Sequence, residues 1–246
     1  MSIKTNQPKS KPVVPVTPEP EVIDETIVDL EQVTGGAVHW VEANQKPILY
    51  GLLGLAALIG GYFWYNNYKA KQNDKGYAAI VRAEQRFEQD SFAAALSNPG
   101  GGFSGLTEIA SKYSSSDAGN AAQFQAAVSY LNLGKFDEAI KAMDAFSANG
   151  NVAPTMKYGI LGDAWSEKKE FKKALSFYKQ AGSTGGVDDL KAYYLKKAGL
   201  LSEVQKDYSG AISIYKEIKS NYPATSDGNG IEKFIARAEA AASAKK

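Results

Sequence analysis

The chain has 246 residues, a net charge of +1, one histidine and no cysteine. A near-neutral balance gives no electrostatic case for nucleic acid. The missing thiols exclude disulfide frameworks, cysteine nucleophiles, thiolate metal sites and lipoprotein anchoring.

Taken in chain order, residues 1–20 hold five of the nine prolines and little apolar bulk. Such a segment buries too little surface to offset its ordering entropy, so residues 1–22 are predicted to be a disordered tail. Residues 23–46 place Ile23, Ile27, Val28, Leu30, Val33, Val38, Trp40 and Val41 among acids, with a break at Gly35–Gly36. This reads as a juxtamembrane amphipathic segment with Trp40 near a lipid surface, or equally as a partly ordered linker. His39, in the same stretch, lacks the carboxylates that a metal cluster would need, and no metal or other cofactor is expected.

Residues 47–65 read "PILYGLLGLAALIGGYFWY", 19 residues without a charge. At about 1.5 Å per residue this run crosses a hydrocarbon core of about 30 Å. A soluble core helix would show a polar face, and this one shows none. Tyr62, Phe63, Trp64, Tyr65 and Tyr68 form an aromatic belt, with Lys69 and Lys71 beyond it. The predicted transmembrane helix is therefore 47–68. Its length, and aromatics where small cleavage residues would stand, argue against a cleaved signal peptide. Ala56 with Gly60, and Ala57 with Gly61, make two overlapping pairs of small residues that would permit close helix contact in the bilayer. In the 20 residues before the span only Lys46 is basic; in the 20 after it Lys69, Lys71, Lys75, Arg82 and Arg86 are. That bias alone would put the C-terminal part in the cytoplasm.

Residues 69–246 are predicted to be helical repeats. Tyr158, Leu161, Gly162, Trp165, Phe171, Ala174, Tyr178 and Ala181 match the tetratricopeptide pattern of a helix–turn–helix unit. The residue types have a packing reason. Gly162 and Ala174 would sit where two antiparallel helices pass closest, with Trp165, Phe171 and Tyr178 filling the gaps. Ala127, Tyr130, Gly134, Phe136, Ala139, Met143 and Phe146 follow the same template 35 residues earlier. Gly199, Tyr208, Ala211, Tyr215 and Ile218 follow it 37 residues later. A degenerate first copy falls in residues 76–113, broken by "SNPGGGF", and "GIEKFIARAEAAASAKK" suits a capping helix. The fold class expected is all-α: an N-terminal transmembrane helix followed by a short tetratricopeptide solenoid.

Arrays of this kind bind peptides on the concave face, formed by the first helix of each pair. The template puts Phe124, Val128 and Leu131, then Gly159, Asp163 and Ser166, then Lys196, Leu200 and Glu203 on that face. A clamp for a C-terminal carboxylate needs several lysines or asparagines there, and only Lys196 qualifies. The apolar end could grip a partner chain or be covered by the preceding helices. P-loop, dinucleotide, HExxH, nucleophile-elbow and EF-hand patterns are all missing, so neither an enzyme nor a small-molecule substrate is expected.

The layout resembles the YfgM-type family of single-span bacterial inner-membrane tetratricopeptide proteins, ancillary to the Sec translocon. The resemblance rests on "ANQKPILYGLLGLAALIGGYFWYNNYKAKQ", on "FSGLTEIASKYSSSDAGNAAQFQAAVSYLNLGKFDEAI" and on "IEKFIARAEA", over residues 38–240. The Pro-rich tail and the Gly100–Gly102 insertion depart from it. It implies a cytoplasmic N-terminus and a periplasmic repeat domain. The implied partners are translocon subunits, a periplasmic chaperone or prolyl isomerase, and the lipid bilayer. A scaffold for another envelope assembly, in outer-membrane biogenesis or division, and a cytoplasm-facing adaptor are the alternative readings.

Overall fold

A computed structural model describes residues 38–244. The predicted tail (1–22) and residues 23–37 of the juxtamembrane segment lie outside the described residues. The chain divides into two units at Gly60–Gly61.

In the first unit, residues 38–43 are helical and Asn44 forms a turn before the long helix α1 (Gln45–Glu88). The Asn44 side chain donates to the Trp40 carbonyl at 2.8 Å, competing with the backbone for the same acceptor. Pro47 sits in the first turn of α1, where its missing N–H leaves no helical bond unmade. His39 is exposed and lies 3.6 Å from Glu42. Every side chain of residues 49–60 is exposed. This is the one helix among the described residues long and apolar enough to span a membrane.

In the second unit, α1 ends at Glu88 and nine further helices follow among the described residues. These are α2 (Phe92–Ser97), α3 (Leu106–Lys112), α4 (Asp117–Asn132), α5 (Phe136–Ala145), α6 (Ala153–Glu167), α7 (Phe171–Ser183), α8 (Asp188–Val204), α9 (Tyr208–Asn221) and α10 (Glu232–Ser243). From α3 onward each helix packs on the next, and α4–α6 and α6–α8 also touch. There are no strands among the described residues.

One turn recurs and sets the architecture. The residue that ends each first helix is left-handed: Asp90 (φ 55°), Gly134 (φ 71°), Lys169 (φ 61°) and Lys206 (φ 60°). In each case the next N–H reaches back five residues to a helix carbonyl at 2.9 Å: Ser91 to Arg86, Lys135 to Tyr130, Glu170 to Trp165, Asp207 to Ser202. This cap reverses the chain and starts the second helix of the pair. Its spacing is 44, 35 and 37 residues, so the degenerate copy (α1's last turns with α2 and α3) uses the same device. Its extra length lies in the loop 98–105, which cuts the second helix in two. Gly100, Gly101 and Gly102 all have positive φ, and Thr107 Oγ1 donates to the Leu96 carbonyl at 2.8 Å to tie the halves together.

The core runs as three neighbouring clusters. Ile80, Ala83, Leu96, Leu106 and Ile109 fill the first; Ala127, Met143, Phe146, Ile160 and Leu161 the second. The third holds Ala174, Tyr178, Leu195, Ala211, Tyr215, Ile218 and Ile235, with α10 closing its end. Buried alanines are frequent at the crossings because helices meeting that closely leave no room for longer side chains.

Candidate partner-binding face

The packing residues lie where helices of a pair meet. A Cβ on Gly162 would stand 2.5 Å from the Tyr178 ring, and one on Gly199 2.2 Å from the Tyr215 ring. The tyrosine fits only because the facing residue is glycine. The first full repeat makes the opposite choice, with Ala127 and the slimmer Met143 in one cluster. Ala139, Ala174 and Ala211 are fully buried. Tyr130 and Phe171 are half-buried. Trp165 is also half-buried and lies under two cations, Lys173 Nζ at 4.0 Å and Lys168 Nζ at 5.0 Å from its ring centre.

A buried tyrosine favours a partner for its hydroxyl, and for Tyr178 and Tyr215 carboxylates expected in the groove provide it. Tyr178 donates to Asp163 at 2.6 Å, and Asp163 also takes Lys197 of the next repeat at 2.7 Å. Tyr215 donates to Glu203 at 2.5 Å, and Glu203 receives both arms of the Arg237 fork at 2.8 and 3.0 Å. Burial, followed by the nearby carboxylate, pushes both tyrosine hydroxyls well above their ordinary value. Burial works against the Glu203 charge, but the bonds from Arg237 and Tyr215 outweigh it and hold its pKa below the ordinary value. Burial likewise opposes the Lys197 charge, and Asp163 outweighs it, leaving the ammonium above its ordinary value. Two carboxylates thus clamp three helices each: α6, α7 and α8 at Asp163; α8, α9 and α10 at Glu203.

The remaining positions expected on the concave face are placed as follows. Gly159 is buried, since a Cβ there would meet the Tyr194 ring at 1.9 Å. Ser166 and Leu200 are half-buried, and Lys196 forms an ion pair with Asp227. Phe124, Val128 and Leu131 are half-buried on α4. Phe124 packs against Phe146 with ring centres 5.4 Å apart. Beside it a groove of about 560 Å³ opens between α4 and α6, with Ala121, Phe124, Phe146, Val152 and Met156 as its apolar lining. The structure therefore brings Phe124 together with Met156 and Val152, which the template had not singled out. Ala56, Ala57, Gly60 and Gly61 are exposed on α1, and nothing lies within 4 Å of a Cβ built on either glycine.

A family model described as tetratricopeptide repeat matches residues 121–149 and 192–225. The chain carries tetratricopeptide repeats. The two matches fall on α4–α5 and α8–α9. Between them, α6–α7 repeats the left-handed cap of both pairs and the glycine–tyrosine contact of α8–α9, so the helical repeats continue through the middle pair. No curated protein matches the chain. Tetratricopeptide repeats indicate a protein-interaction module.

The partners missed from sequence had a signal of their own. Asp163 and Lys197 are 34 residues apart, and so are Glu203 and Arg237. Opposite charges one repeat apart face each other across stacked first helices. Asp137 on α5 with Lys168 at the end of α6, and Lys196 on α8 with Asp227 in the α9–α10 loop, are both 31 apart and link neighbouring elements by a different geometry.

Proposed function

We propose that this chain is a membrane-anchored protein-interaction module supporting secretion at the Sec translocon. On this reading 47–68 is the transmembrane helix, with its N-terminus cytoplasmic, and the repeat domain from residue 69 stands in the periplasm of a bacterial inner membrane. There it recruits a chaperone or prolyl isomerase or contacts emerging chains through the concave face of α4, α6 and α8. The observation that carries the reading is one chain joining an uncharged span-length helix to a tetratricopeptide array. The resemblance to the YfgM-type layout supplies the translocon.

Purification from membranes in mild detergent tests it. Translocon subunits and a periplasmic folding factor should co-purify; a set without translocon subunits contradicts the secretion role. The five basic residues that follow the span favour a second reading, a cytoplasm-facing adaptor. Protease added to spheroplasts separates the two. Degradation of the repeat domain with the inner membrane intact supports the periplasmic placement, and degradation only after that membrane is breached supports the adaptor.

A further inference from the structure

The charges of the expected groove are all spent inside the protein. Asp163 is bound by Lys197, Lys196 by Asp227, and Glu203 by Arg237. The α4–α6 groove has one charged residue in its lining, Asp117, and Lys69 holds it at 3.1 Å. A guest carrying a carboxylate or phosphate would meet no free cation in that lining, and one carrying an ammonium would have to compete with Lys69 for Asp117, so a charged guest gains little there and loses part of its hydration.

What the groove does offer is apolar floor and carboxamide rim. Phe124, Phe146, Val152 and Met156 supply the floor; Gln125, Asn149 and Asn151 stand around it. Gln125 Nε2 donates to Glu84 at 3.0 Å and its Oε1 is buried, so the carboxamides open to a guest are those of the exposed Asn149 and Asn151. Carboxamides offer a donor and an acceptor together, which complements a backbone whose own N–H and C=O groups are unpaired. A helix has already satisfied those groups internally, whereas an extended chain has not.

We infer that the α4–α6 groove takes an extended, uncharged stretch of polypeptide, anchored by one aromatic or branched aliphatic side chain against Phe124 and Met156. This rests on the reading of the concave face as the partner site and names the chemistry of its guest. Recognition of this kind is insensitive to salt, unlike capture of a charged tail.

The test uses the full chain in nanodiscs and a fluorescent nonapeptide of Ser, Gly, Leu and Phe with both ends blocked. Empty nanodiscs give the background. Matched peptides carry a free C-terminal carboxylate, two glutamates or two lysines. The neutral peptide should bind best, with less than a twofold change in Kd between 50 and 500 mM salt. Phe124→Glu and Val152→Glu should each weaken it at least tenfold. Val152 is 40% exposed and lies outside the buried core, so its substitution guards against loss of fold, and Lys172→Glu on the outside of α7 should change nothing. Preference for a charged peptide, steep salt dependence, or neutral-peptide binding untouched by both groove variants overturns the inference. Translocon co-purification that persists while the neutral peptide fails to bind would sink the inference and leave the proposed function standing. Loss of that co-purification with peptide binding intact would do the reverse.

Discussion

A left-handed backbone is natural for glycine and costs other residues roughly 1 kcal/mol. Gly134 occupies that conformation in one cap, while Lys169 and Lys206 occupy it in the next two. Lys169→Gly and Lys206→Gly should each therefore stabilise the domain by about 0.5–1 kcal/mol, read as a higher urea midpoint at unchanged slope. A lower midpoint would mean that the lysine side chains do more than the backbone argument allows. The glycine–tyrosine contact behaves in the opposite way. A Cβ at Gly162 meets the Tyr178 ring at 2.5 Å, so Gly162→Ala should cost about 1–3 kcal/mol. Pairing it with Tyr178→Met, which copies Ala127 and Met143, should recover part of that loss. A double mutant cycle checks this, and strictly additive effects would contradict the proposed contact.

At the scale of helices, the clamps hold successive pairs in register. Ala174 is fully buried at the α6–α7 crossing, so Ala174→Leu should overpack it and cost about 1–3 kcal/mol; an unchanged melting temperature would contradict the assigned register. The Glu203 clamp carries a pH signature. Its pKa is depressed in the folded chain, so its contribution is present above the ordinary glutamate range and lost as pH falls through the folded value. Glu203→Gln should cost about 1–3 kcal/mol at pH 7, and the gap to the parent should close towards pH 3. A gap that stays constant with pH would assign the stabilisation to packing alone. Much of this level was legible in the sequence. The spacing of Ala127, Gly162 and Gly199, and of Ala139, Ala174 and Ala211, encodes close crossings, because size constraints act on the residue itself. The clamps were harder to see. Asp163 and Glu203 look like free groove residues until Lys197 and Arg237 are placed opposite them, one repeat later. The α4–α6 groove depends on Val152 and Met156, which stand at the start of α6, outside the core template. Phe124 alone had signalled it.

At the scale of the whole chain, α1 is the one helix among the described residues long and apolar enough to span a membrane. Residues 49–60 offer no polar face, and none of their side chains is buried by the protein. Full-length protein should stay in the membrane pellet after carbonate extraction. Leu55→Arg with Leu58→Arg should release it, since each arginine at a span centre costs about 2.5–3.5 kcal/mol on insertion scales. On the proposed reading the repeat unit meets its partner at the membrane, and the internally paired charges of α6 and α8 leave apolar contact as the means of grip. Photo-crosslinking in intact membranes examines this most directly, with a photoreactive phenylalanine analogue placed at Val128 on the concave side or at Lys172 on the outer side. Discrete adducts to other proteins from Val128, and few from Lys172, are the predicted result. Equal adducts from both positions, or adducts from Lys172 alone, would contradict a partner-binding concave face.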